Sequence, residues 1–479
     1  MPTVKALFED ISKRHASATA VNDFDTIKVC AHEFELLLND APGDIMVMFS
    51  LGSCKLQLGM NGSAIGLFQQ CLEIKPDMPE IWNNLGTAWK GENNKEQAEI
   101  CFRKALESKE DADYYNNMVT LHVNEGEPEK GIEYAEKGIA LAPENPRLHW
   151  NYALLLLELG RWKDGLEHYE FGLLSNDRPN RKYEWDGVDV PWWDGQEGRV
   201  LVYGEQGMGD ELMWASCLPD LIKQVGTENL VFECHGRLQG LLERSFPDVK
   251  HYGTRKEATI DWEDKVDYRV ALGSLFRIYR SEGNFPKTEY LIPDMTLVTA
   301  YRNRLQALGP GPYIGIAWRA GHKRTNAKGR SLKLKEFVPL IEQGGTFVSL
   351  QYTSDAAGKI ERFAEETGHT VHHWPEVVES HDGPDKETRK EYPGNDYDHT
   401  AALVTALDLC IIPNTAVAHL CGGLGEECWT LTPHAPAWRY GLTGTEMPMY
   451  GAWVQQYREG MGEVIEDYAA YLGAYAQYR

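Results

Sequence analysis

The 479-residue chain has no run approaching the ~18 apolar residues that a bilayer-spanning helix needs; stretches such as Ala153–Leu157 are far shorter. Its opening, MPTVKALFEDISKRHAS, lacks the apolar core and small-residue cleavage site of a secretory signal, so the expectation is a cytoplasmic protein with no membrane span. None of its nine cysteines falls in a CxxC pair, and nine is an odd number. Cys71, Cys101, Cys217 and Cys410 sit in apolar surroundings that suit buried, reduced thiols, which excludes a disulfide framework and a cysteine zinc site. Basic charge is short: 48 Lys and Arg against 72 Asp and Glu leave −24, which speaks against nucleic acid as a partner wherever no local basic patch overrides it. A GxxxxGK phosphate loop is also missing. With 42% hydrophobic and 25% charged residues, the chain is neither disordered nor collagen-like.

What is present first is a repeat. Gly52, Ala64 and Phe68 recur as Gly86, Ala98 and Phe102, each 34 positions later. Trp82-Asn83-Asn84 is echoed by Tyr115-Asn116-Asn117 and by Trp150-Asn151-Tyr152, Gly131 and Gly165 continue the small residue, and Pro76 and Pro143 close two units. Small residues let two helices cross closely, and each pair must stack on its neighbours to bury its remaining face. The pattern resembles the tetratricopeptide repeat, with four units between about 44 and 179 and a degenerate one before them. Such arrays mostly form binding surfaces.

After Arg181 the period is lost. The segment KYEWDGVDVPWWDGQEG reads as an ordered aromatic connector. Beyond it, RVLVYG (199–204), NLVFEC (229–234), YIGIAW (313–318), TFVSLQ (346–351), LDLCII (407–412) and CWTLTP (428–433) alternate with helix-length stretches. Continuous apolar strands of this kind predict parallel sheets covered on both faces. A break at Gly309–Pro312 separates two α/β halves, which would bind ligand at the carboxyl ends of their strands. The polar segment 375–398 reads as an inserted surface loop.

Three motifs could carry chemistry. GEQGMGDELMW (204–214) follows a strand and opens a helix; Gln206, Gly207 and Gly209 would line the turn, and Asp210 reads equally as a helix cap and as a positioned base. Glu205 and Glu211 are its rivals. Gly207 and Gly209, with Glu233 downstream, also suggest a dinucleotide fingerprint, weakened by Leu212 where its third glycine belongs. WRAGHKRTNAKGRSLKLK (318–335) packs Arg319, Lys323, Arg324, Lys328, Arg330, Lys333 and Lys335 together without one acid, either a diphosphate site or a solvated basic loop. PNTAVAHLCGGLG (413–425) is again strand-then-helix: Asn414 and Thr415 can cap it, Ala416 opens it, and His419 lies one turn deeper, as a site residue or a satisfied core histidine. PHAPAWRYG (433–441) places His434, Trp438 and Arg439 near the same edge.

Taken in order, these motifs resemble those of bacterial tetratricopeptide proteins carrying a domain similar to the ADP-heptose:lipopolysaccharide heptosyltransferase family. The layout also looks like that of O-GlcNAc transferase. The resemblance covers about residues 44–455. It implies an α + α/β architecture: a helical repeat domain over 1–180, then a GT-B fold of two Rossmann-like lobes, 181–310 on the acceptor side and 311–479 on the donor side. It further implies an inverting, metal-independent glycosyltransferase with a nucleotide-diphosphate sugar as co-substrate and no other cofactor. The family's base falls on Asp210. Its donor contacts fall on Arg319, Lys323, Arg330 and Ser331, and on Asn414, Thr415, Ala416 and His419. One position departs, since Asn414 stands where the family usually has aspartate; amide for carboxylate removes a charge beside the donor and changes which hydroxyl or amine is bound. The repeats would present a protein, peptide or glycan acceptor. The alternative is a non-catalytic scaffold with a degenerate transferase domain.

Overall fold

The computed structural model describes residues 3–185, 187–255, 264–320, 330–378 and 397–477. The chain divides into two compact units, Met1–Leu155 and Leu156–Arg479. Among the described residues, no helix is long and apolar enough to cross a membrane.

The first unit is built of helix pairs: α1 (Val4–Ala20) with α2 (Phe24–Asp40), α3 (Ile45–Gln57) with α4 (Asn61–Ile74), α5 (Pro79–Gly91) with α6 (Lys95–Ser108), and α7 (Ala112–Glu125) with α8 (Pro128–Leu141). Side-chain oxygens of Asp23, Asp44, Asn94 and Asp111 accept amides of the first turn and start four of these helices. The repeated glycine has a direct packing cause. A Cβ at Gly52 would lie 2.6 Å from the Phe68 ring, and one at Gly86 would lie 2.6 Å from Phe102. The phenylalanine of the second helix thus sits on the glycine of the first, and both rings are fully buried. The asparagine echo is a ladder between successive first helices: Asn117 Nδ2 donates to Asn83 Oδ1 at 2.8 Å, and Asn84 Nδ2 donates to Ser53 Oγ at 3.3 Å. Asn151, on α9 (Pro146–Glu158), donates to Asn116 Oδ1 at 2.8 Å. The closing prolines act through their carbonyls, which accept from Trp82 Nε1 at 2.8 Å and pair with His149 Nε2 at 2.7 Å.

The division between units falls within α9, earlier than the 180 at which the sequence period fades. The next helix, α10 (Trp162–Tyr169), packs inside the second unit: Leu157 covers Gly165, and Tyr169 meets Trp438 edge-on at 5.8 Å. The aromatic connector forms a short hairpin, β1 (Glu184–Trp185) with β2 (Val188–Asp189), and then runs onto a sheet edge. There Trp193 donates its amide to the Arg269 carbonyl at 2.8 Å and is buried, whereas Trp192 stays 39% exposed with Arg269 over its ring.

Two sheets organise the second unit. The first has the order β5 (Lys250–Tyr252), β4 (Leu230–Glu233), β3 (Val200–Tyr203), β6 (Tyr268–Ala271), all parallel. The second has the order β11 (Glu446–Met447), β12 (Gly451–Tyr457), β10 (Cys428–Leu431), β9 (Leu409–Pro413), β7 (Tyr313–Ile316), β8 (Thr346–Ser349), parallel except for β11. The six apolar segments of the sequence are β3, β4, β7, β8, β9 and β10, and each central strand is buried along its length. The chain leaves β3 to one side for β4 and to the other for β6, and leaves β7 likewise for β8 and β9. Crevices at the carboxyl ends of β3 and of β7 and β9 follow from those reversals.

Candidate anion and acid–base site

All three motifs lie at those carboxyl ends. After β3 the backbone turns through Gln206 in the left-handed region (φ 56°) and enters a helix over Met208–Trp214. Tyr169 donates its hydroxyl to Gln206 Oε1 at 3.4 Å, and Arg255 donates to the Gln206 carbonyl at 2.9 Å, which holds the turn. Gly207 takes the cap position. Asp210 is the third helical residue, and its Oδ2 reaches back to accept the Gly207 amide at 3.1 Å. Its other oxygen, Oδ1, accepts from Arg439 through Nε at 3.0 Å and also through Nη2.

The rival acids are committed elsewhere. Glu205 is buried and takes a two-pronged contact from buried Arg178 (3.0 and 2.6 Å), with the Gly273 amide at 3.0 Å. Burial pushes its carboxyl up and Arg178 pulls it back, the net being upward. Glu211 is buried against Arg255 Nε at 2.9 Å and accepts the His235 amide at 2.7 Å. Glu233, the ribose acid of a dinucleotide reading, accepts instead from Tyr183, from Thr254 at 2.8 Å, and pairs with Arg181 at 2.9 Å. Glu233 is thus engaged by side chains of the protein itself.

In the second sheet, β9 runs into Asn414 and a helix over Ala416–Leu424. Neither candidate cap closes that helix. Asn414 Oδ1 accepts from Thr432 Oγ1 at 3.1 Å, and Thr415 makes no side-chain capping bond. Asn414 is 1% exposed, and its Nδ2, like Thr415 Oγ1, has no partner among the described residues. Arg330 Nη1 donates to the Asn414 carbonyl at 2.7 Å, which brings Arg330 to the same turn. His419 is fully inside, between the hydroxyls of Tyr450 and Tyr440, each at 3.2 Å. Burial, with the Arg439 charge second, pushes it well below its usual range, so the imidazole is neutral at neutral pH.

The two turns touch. A Cβ at Gly209 would lie 3.0 Å from both Ala416 Cα and His419 Cδ2, an approach closer than side chains ordinarily make, which glycine admits without displacement. Around the contact, among the described residues, Arg330 and Arg439 face one carboxylate, Asp210. Burial pushes the Arg330 charge down, Arg439 adds to that push, and Asp210 opposes it. The described cluster carries two cations and one anion.

Other residues singled out in the sequence lie apart. Arg319 turns outward to Asp355 at 3.3 Å, and Ser331 Oγ accepts the Ala320 amide at 3.1 Å. Lys323, like Arg324 and Lys328, lies outside the described residues, as does most of the 375–398 insertion. His434 is exposed. Among the described residues, no group of three or more His, Cys, Asp or Glu could hold a metal ion. Arg439 is the residue whose part sequence reasoning left undefined; its aromatic, proline-rich segment after β10 was the available signal.

An N-terminal tetratricopeptide array followed by a region of mainly parallel sheets is thus the class of protein. The tetratricopeptide-repeat family model matches residues 47–78, 79–111 and 112–145. The chain is 29% identical over 423 residues to Protein FlbA of Caulobacter vibrioides, covering 82% of this chain and 66% of that protein, just under two thirds of its length. It is 27% identical over 112 residues to the tetratricopeptide repeat-containing protein trd-1 of Caenorhabditis elegans, covering 23% of this chain and 14% of the other. Among solved structures, it is similar to MamA (20% identity, 34% of this chain, 93% of that one, TM-score 0.29). It is also similar to TTC0263, a tetratricopeptide protein of Thermus thermophilus (20% identity, 35% of this chain, 90% of that one, TM-score 0.31).

Proposed function

We propose that the second unit is an inverting glycosyltransferase of GT-B type and that the repeats hold its acceptor or a protein partner. The observation that carries this reading is the contact of the Gly209–Asp210 turn with the Asn414–His419 turn, inside a cluster where two arginines meet one aspartate. A nucleotide-diphosphate sugar suits such a place. Arg330, Arg439 and the uncapped start of the Ala416–Leu424 helix would meet its phosphates, and Lys323 belongs to the same basic segment. An acceptor hydroxyl oxygen then bonds to the anomeric carbon while the carbon–oxygen bond to the diphosphate breaks. The bonding pair leaves with the nucleotide, and the hydroxyl proton passes to Asp210. Fixed cations offset the charge that grows on the leaving diphosphate. Glu205, Glu211 and Glu233 are fully buried in their arginine pairs, whereas Asp210, itself paired with Arg439, keeps 13% of its side chain exposed and is the acid at this edge that a substrate can reach.

The test is a panel of nucleotide sugars assayed for transfer or hydrolysis with the full chain. Asp210→Asn keeps the helix start and is expected to lose about 10²–10⁴ in turnover, the usual range for a general base. Turnover near wild type in that variant would leave Asp210 a structural residue. A chain that neither transfers nor hydrolyses any nucleotide sugar would be the scaffold.

A further inference from the structure

We infer that Arg439 is a positioning residue that exchanges partners: it holds Asp210 while the site is empty and passes to the donor's diphosphate when that binds, so that the carboxylate becomes available only after the donor has arrived. The inference rests on the glycosyltransferase reading and adds an order of events to it.

Three observations lead there. First, Asp210 is occupied as it stands. Oδ1 accepts two N–H groups from one guanidinium and Oδ2 accepts the Gly207 amide, so an incoming hydroxyl would compete with a charge-assisted fork for the carboxylate. Second, the fork has capacity left. Among the described residues Arg439 uses Nε and Nη2, both on Asp210, and Nη1 has no partner. An anion can therefore be met by Nη1 before Nε and Nη2 let go, and the exchange needs no bare intermediate charge. The pair is also reachable, with the two side chains 18% and 13% exposed. Third, charge favours the exchange. Asp210 offsets the charge of Arg439 and acts on Arg330 as well, and a diphosphate brings more negative charge than this one carboxylate supplies. Arg439 stands on a short turn, Trp438–Tyr440, whose Trp438 ring lies 5.7 Å from its guanidinium carbon, so a swing of the side chain does not require either sheet to move.

Inorganic pyrophosphate titrated calorimetrically into the full chain tests this in four proteins: wild type, Asp210→Asn, Arg439→Gln and the double variant. If Asp210 competes with the anion for Arg439, Asp210→Asn tightens pyrophosphate about tenfold when arginine is present and less than about twofold when glutamine replaces it. A purely structural Arg439 would not produce that coupling. Equal gains in both backgrounds would mean that Asp210 repels the anion only through its field, and the exchange would fall. No gain in either background would overturn it as well, with the anion site intact. Absence of pyrophosphate binding in all four proteins would instead remove the glycosyltransferase reading itself. Should Arg439→Gln fail to fold, as judged by its melting curve, Arg439→Lys takes its place. Lysine keeps the cation without the fork, and the expected gain from Asp210→Asn then lies between the other two; a gain equal to that with arginine would count against the exchange.

Discussion

Gly209 decides whether the two turns can meet. Its missing side chain lets Asp210 lie close beside the Ala416–Leu424 helix, since the atoms opposite, 3.0 Å from where a Cβ would stand, are backbone and a buried ring. Gly209→Val is therefore expected to destabilise the second unit by about 1–3 kcal/mol, the usual cost of overpacking. It should also weaken pyrophosphate binding, because the start of that helix is pushed from Asp210. Thermal melting and calorimetry read the two effects separately, and a variant with wild-type values for both would show the contact to be slack. At this scale the sequence was legible in part. The glycines, Asp210 and the Asn414–Thr415 turn could be picked out because strand-to-helix turns put polar groups at sheet ends. The structural roles of Glu205 and Glu211 could not, because their partners Arg178 and Arg255 come from distant chain. Arg319 shows the converse: local basicity marked it, and Asp355, 36 positions away, turns it outward.

At the scale of elements, one carboxylate links three helices of the repeat unit. Glu127 opens α8 and receives Lys95 from α6 at 2.6 Å, Lys130 of its own first turn at 3.0 Å, and His122 of α7 at 3.2 Å. Lys95 is the largest influence, and the set holds the Glu127 carboxyl down at about 2 against an ordinary 4.5. A depressed folded value gives stability that is fully present above pH 4.5 and is lost as pH falls from there towards 2. Glu127→Gln should thus melt below wild type at neutral pH, with the gap narrowing through that acid window. A gap independent of pH would assign the loss to packing. The helix pairs were legible because a 34-residue recurrence samples the same crossing again and again. The central strands were legible as continuous apolar runs. Strands β5, β6, β11 and β12 escaped notice because they are short or half-polar: Lys250 and Glu446 are exposed, and β12 carries Ala452 and Trp453 exposed and two glutamines among its buried and half-buried residues. Their places were set by neighbouring strands, which no local pattern records.

For the whole molecule, two compact units with separate cores imply two unfolding events. Phe34, Phe68 and Phe102 centre the repeat unit, whereas Ile314, Phe347, Leu409 and Trp429 centre one sheet of the second. Stacked repeats contact mainly their neighbours and unfold with limited cooperativity, while a sheet core melts as one. Calorimetry of the full chain is expected to resolve more than one transition. Saturating pyrophosphate should raise only the transition of the second unit, by the binding free energy that the native state gains. A single transition that moves as a whole would join the two units thermodynamically.

The asparagine ladder has a consequence for how such a chain can change length. Each rung joins an asparagine amide of one repeat to a polar side chain 31 to 35 residues earlier, in the repeat before it. The matched unit 79–111 can be excised and its neighbours still find partners: Asn117 inherits the place of Asn84 opposite Ser53, and the Asn151–Asn116 rung is untouched. A cut one residue longer or shorter would turn the helix face by about 100° and set a different side chain against Ser53. Growth and loss in this part of the gene are thereby confined to whole units, and the number of repeats can drift over evolutionary time while the chemistry of the sheets stays as it is.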